Sequence, residues 1–117
     1  MDKKLVLDFA DHEGKRYTFA KINYLNHLKR HPELGEANYL KAITELILNC
    51  EPDLIYPSYN KKYRYVYYEC LATVNGKGWY NCAVVQKTRN GYSIITAYRF
   101  CGSIREKKYG GPVCQRP

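Results

Sequence analysis

Two histidines four residues apart, His27 and His31, enclose Lys29 and Arg30 in the segment NHLKRHPEL. On a helix this spacing puts both imidazoles on one side. An unperturbed imidazole titrates near pH ~6.5, so it can give or take a proton at neutral pH. A neighbouring cation lowers that value and favours the neutral base. Two imidazoles and two cations within five residues suit acid–base work on a phosphodiester. They also fit a helix end where one His satisfies the terminus and the other faces solvent. The spacing matches the zinc motif HExxH, but the Glu that would act as general base is absent and the two cations would repel a divalent ion. No metal is expected at these histidines.

A second group lies near the carboxy terminus, in IITAYR. On a strand Thr96 and Tyr98 share one face and Ala97 and Arg99 the other. The hydroxyl pair could orient a phosphate, and Arg99 could bind one with two parallel hydrogen bonds; Ile, Thr and Tyr are also ordinary strand residues. A third group is YPSYNKKYRYVYY, which holds six of the 13 tyrosines with Lys61, Lys62 and Arg64. It could stack bases while neutralising phosphates, or its tyrosines could simply cover a sheet. No Gly-rich phosphate loop, GxSxG elbow or carboxylate pair spaced for hydrolysis is present, and no cofactor is expected.

The elements that must position these groups follow from periodicity. Residues 4–10 and 16–22 read as short strands joined by the turn-rich DHEG. A helical turn or two over Tyr24 to His31 must end before Pro32. Glu36 to Asn49 is the clearest helix, with Ala37, Leu40, Ile43, Leu46 and Ile47 on one face, and Glu51-Pro52 stops it. The second half alternates as strands: 63–74, then 79–87 after the turn Asn75-Gly76, then 92–100 after Asn90-Gly91. This predicts a three-stranded meander behind a helical layer, an α+β fold with helices on one face of an antiparallel sheet.

The chain has 117 residues and fits one domain, placed at 1–100, with a basic Gly/Pro-rich tail over 101–117. Aromatics at 15% exclude a low-complexity or disordered chain. No apolar run reaches the ~18 residues of a membrane span, and the amino terminus lacks the apolar core of a signal peptide; a cytoplasmic protein is expected. Five cysteines, an odd number without CxxC, fit reduced thiols. Cys101 and Cys114 could meet near the carboxy terminus, a weak zinc reading. Charge is uneven. Residues 1–56 carry 8 Lys+Arg against 9 Asp+Glu, and residues 57–117 carry 11 against 2. A half at +9 suits a surface that meets a polyanion.

The order His27-x-x-x-His31-Pro32-Glu33, a helix ending at Pro52-Asp53, then β-hairpins closing on Ile94-Ile95-Thr96-Ala97-Tyr98 resembles the PBECR nucleases. These are phage-associated members of the barnase–EndoU–colicin–RelE (BECR-fold) superfamily. The resemblance spans roughly residues 20–100. Leu28 stands where family members more often carry Ile, and the extension after Phe100 has no counterpart. The resemblance implies helices packed on a four-stranded antiparallel sheet and metal-independent RNA cleavage in a phage or toxin setting. It makes His27, His31, Thr96 and Tyr98 the catalytic candidates. Lys29, Arg30, Lys61, Lys62, Arg64 and Arg99 are the candidate RNA contacts. RNA is the expected partner, with an antitoxin or immunity protein as a second, and a non-catalytic RNA-binding or phage accessory protein of the same fold is the alternative.

Overall fold

The computed structural model describes residues 4–58, 61–75, 77–102 and 111–117. Gly76 of the first expected hairpin turn, Tyr59 of the tyrosine-rich segment and residues 103–110 of the tail lie outside them. Strands β1 (Leu5–Ala10) and β2 (Arg16–Ala20) form the expected hairpin. Asp11 holds its turn: one carboxylate oxygen accepts the N–H groups of Glu13 and Lys15, each at 2.9 Å. Helix α1 (Lys21–Leu28) follows β2 directly, and a 3-10 turn occupies Pro32–Gly35. Helix α2 (Tyr39–Asn49) starts three residues later than its apolar pattern suggests. Glu36 is extended and Asn38 sits at φ 66°, a left-handed conformation that Asn tolerates. Strand β3 (Ile55–Pro57) and the long strands β4 (Arg64–Val74), β5 (Lys77–Thr88) and β6 (Gly91–Gly102) complete the chain.

The sheet order is β1-β2-β6-β5-β4-β3. The meander β4-β5-β6 is antiparallel, but β2 runs parallel to β6, with Tyr17 opposite Tyr92 and Phe19 opposite Ile94. The expected four-stranded antiparallel sheet is therefore wrong: the sheet is mixed and has six strands. Three short strands add to its edges, β3 on β4 and the β1–β2 hairpin on β6. The parallel pairing arises because the helices and strands β3, β4 and β5 lie between β2 and β6, bringing the chain back in the same direction.

One face of this sheet carries the main core. Tyr17, Phe19, Tyr67, Val85 and Ile94 are buried there with Ile43, Leu46 and Ile47 of α2. Full burial of a side chain such as Ile47 contributes about 1.5–3 kcal/mol. Strand alternation sends Tyr56, Val66, Tyr68 and Cys82 into a second cluster, packed with Tyr98 and Phe100. Near the carboxy terminus, Val113 N–H donates to the Ile55 carbonyl at 2.8 Å. Arg116 then reaches inward and donates to the carbonyls of Ile47 and Cys50 at the end of α2, at 2.9 and 2.8 Å. Its guanidinium lies over the Tyr67 ring and 3.7 Å from the Asp11 carboxylate. No helix among the described residues is long and apolar enough to cross a membrane.

Candidate active site

The proline after His31 shapes the site. A residue before proline is disfavoured in the helical region, and His31 leaves it, at φ −130° and ψ 77°. The helix closes beneath it: the His27 carbonyl accepts the N–H groups of Arg30 and His31 at 3.1 and 2.9 Å. Freed from the helix, the His31 imidazole lies on the Tyr98 ring, with centroids 4.7 Å apart and planes 17° from parallel. Tyr98 is itself one end of a row of rings across the sheet. It contacts Phe100 at 5.9 Å, Phe100 stacks on Tyr80 at 5.4 Å, and Tyr68 links Phe100 to Tyr56. The row fixes Tyr98, and Tyr98 fixes His31.

His27, one helical turn before His31, is half-buried. Burial lowers its pKa from the ordinary 6.5, and the positive charges of His31 and Arg30 lower it further. It is therefore a neutral base at neutral pH. Lys29 and Arg30 stand exposed beside the pair.

Glu33, in the 3-10 turn, points inward: its side chain is 17% exposed and Oε1 lies 3.9 Å from His31 Nδ1. That is an electrostatic contact, too long for a hydrogen bond. Its charge also acts on Tyr39, Cys82 and Arg99. Among the described residues, four side-chain atoms are buried without a hydrogen-bond partner: Glu33 Oε1 and Thr96 Oγ1 here, and Asp11 Oδ2 and the Tyr92 hydroxyl elsewhere. Such atoms are rare in folded proteins. The Cys82 thiol, pushed up by burial, hydrogen-bonds the Tyr98 side chain.

The structure thus brings His31 onto Tyr98, with Thr96 two residues before Tyr98 on the same face of β6 and His27 within electrostatic reach of His31. Arg99 goes elsewhere. It projects from the opposite face of β6, over the Tyr39 ring at 5.4 Å, and pairs with Glu36 at 2.9 Å. Tyr39 donates to Asn81 Oδ1 at 3.0 Å, and Asn81 contacts Glu69 at 3.4 Å. Lys61, Lys62 and Arg64 lie apart from the histidines. Arg64 donates to Gln86, and the Gln86 amide donates to the Lys62 carbonyl. Gln86 is four positions from Cys82, the register partner of Tyr98, so these cations sit about 13 Å along the strands from it. Of the tyrosine-rich segment, Tyr56, Tyr67 and Tyr68 are buried and Tyr63 is exposed.

Glu33 was missed as a site residue, although its place in His31-Pro32-Glu33 was a usable signal: a turn that frees His31 also aims the residue two positions on. The Glu36–Arg99 pair and the Tyr39–Asn81–Glu69 chain have no short-range signature. The described residues hold no group of three or more His, Cys, Asp or Glu that could bind a metal ion. No family model, curated protein or solved structure matches this chain.

Proposed function

We propose that this protein is a small endoribonuclease of the BECR type that cleaves RNA without a metal ion. The observation that carries this reading is the stacking of His31 on Tyr98 one turn from His27, whose pKa is depressed. In the proposed reaction, neutral His27 takes the proton from a ribose 2′-hydroxyl. The 2′-oxygen attacks the adjacent phosphorus, and the bond to the 5′-oxygen breaks. His31, whose Nδ1 lies 3.9 Å from Glu33 Oε1, gives the leaving 5′-oxygen a proton. The products are a 2′,3′-cyclic phosphate and a free 5′-hydroxyl. Lys29 and Arg30 stabilise charge building on the phosphoryl oxygens, commonly the largest contribution in such catalysis.

The resemblance extends the reading to a phage or toxin setting with an antitoxin or immunity partner. A reducing cytoplasm suits the five unpaired thiols. The alternative, an RNA-binding module without cleavage, draws on the same basic half.

The test is incubation of the protein with mixed tRNA and single-stranded RNA in excess EDTA. His27→Ala and His31→Ala, checked for folding by circular dichroism, run alongside. Cyclic-phosphate ends from wild type alone are the expected result. Intact RNA with salt-dependent binding moves the protein to the binding reading, and intact RNA with no binding overturns both.

A further inference from the structure

We propose that single-stranded RNA is led to the His27–His31 cluster along a basic trough that begins at the tips of the β1–β2 and β5–β6 hairpins. The choice of occupant rests on the ribonuclease reading; the trough rests on its own geometry.

An open groove of about 850 Å³ runs between α1 and the sheet face turned away from α2, floored by Thr18, Ser93 and Thr88. A recess of about 100 Å³ shares Thr18 and Thr88 with it and leads to Arg16 and Gly91. From there a hollow of about 280 Å³ opens between the two turns, among Lys15, Arg16, Lys87 and Arg89. The three share walls and form one path. Its other end runs along α1 past Asn23, which lies one turn before His27 on the same helix side.

The lining is one-sided in charge. No carboxylate lines any of the three hollows. Arg16 is neutralised by Asp8 at 2.8 Å and Lys15 by Glu13 at 3.0 Å. Lys4, Lys21, Lys87 and Arg89 are exposed and form no ion pair with a described residue. Four uncompensated cations along one path match the phosphates of a strand. On the α1 wall Ile22 and Leu25 are 69% and 47% exposed. An apolar wall beside cations and hydroxyls suits unpaired bases with their ribose and phosphate groups, whereas a duplex would bury its bases away from that wall.

The test is binding of a fluorescent ten-residue 2′-O-methyl oligouridylate, which cannot be cleaved through its 2′ position. Lys87→Ala/Arg89→Ala is expected to weaken binding at least fivefold. The slope of log affinity against log salt should shrink by about 1.4, at ~0.7 for each single-strand phosphate that the double variant leaves without its cation. Leu25→Glu, which places a carboxylate on the exposed wall, is expected to weaken it about tenfold. The control Lys41→Ala/Lys77→Ala, with the same change in net charge, should stay within about twofold. Equal losses in the control pair, or no binding by wild type, overturn the trough. So does wild-type binding to anionic phosphatidylserine vesicles but not to the oligonucleotide. Binding that follows this pattern while tRNA stays intact sustains the trough and removes the ribonuclease reading.

Discussion

The His31 imidazole lies 4.7 Å from the Tyr98 ring, nearly parallel to it, across an interval of 67 residues in the chain. Stacking fixes the plane of the imidazole and leaves both ring nitrogens at its edge, where proton transfer takes place. The local order around His31 therefore depends on a ring in the last strand.

Replacing that ring separates positioning from hydroxyl chemistry. Tyr98→Phe keeps the stack, and Tyr98→Ala removes it together with the packing against Phe100. Aromatic pairs contribute about 0.5–1.5 kcal/mol beyond their buried area. Tyr98→Ala is expected to lower RNA cleavage about tenfold or more, whereas Tyr98→Phe stays within about threefold. Steady-state cleavage with thermal unfolding run in parallel distinguishes damaged geometry from damaged fold.

Acid should silence the protein in a defined way. The depressed pKa of His27 means that its neutral form persists below the ordinary 6.5. The acid limb of the rate, which reports neutral His27, should fall through an inflection below 6.5. His27→Ala should cost at least ~10²-fold in rate. A pH–rate profile, paired with NMR titration of the His27 ring, checks both. An inflection above 6.5 assigned to His27 counts against its role as base. For stability the sign is the same: the unfolded chain binds the proton more readily, so acidification through this window destabilises the fold.

Arg116 predicts a stability effect far from the histidines. Its guanidinium caps the last carbonyls of α2 and faces Asp11, whose side chain is only 2% exposed. Arg116→Met leaves the Asp11 charge buried and should cost about 3–5 kcal/mol in urea unfolding. Adding Asp11→Asn should recover part of that loss, because the stranded charge is removed.

Gly91 begins β6 at φ 151°, and a Cβ added there would meet the Arg16 carbonyl oxygen at 2.4 Å. That atom is backbone and cannot swing aside. Gly91→Ala is expected to push β2 from β6 and destabilise by more than about 1 kcal/mol, read by denaturant titration. Gly14→Ala, at φ 80° in open space, should cost about 1–2 kcal/mol from backbone strain alone.

What could be read from the residues was whatever depends on neighbours in sequence. Periodicity placed α2 and the three long strands, because alternation and helical repeat are local properties. The pattern at Tyr17 and Phe19 announces a buried strand face but not its partner, and β6 is 75 positions away. The Thr96–Tyr98 face was legible from spacing alone. Helical spacing misplaced His31, which leaves the helix before Pro32, and it gave no sign that the His31 ring lands on Tyr98. Arg116 looked like one more cation of a basic tail. Its burial needs Asp11, Tyr17, Ile47, Cys50 and Tyr67, five positions that only the finished fold gathers.

The strand order carries a consequence for synthesis. The last of the described strands, β6, occupies an inner position between β2 and β5. Until it is made, the β1–β2 hairpin and the β3–β4–β5 ribbon have no common neighbour, and the longest-range pairings form late. Sheets closed so late in sequence fold slowly. Because Thr96 and Tyr98 ride on that strand, a nascent or truncated chain lacks the surface on which His31 rests. The surface on which the His31 ring lies comes into being only with the closing of the sheet.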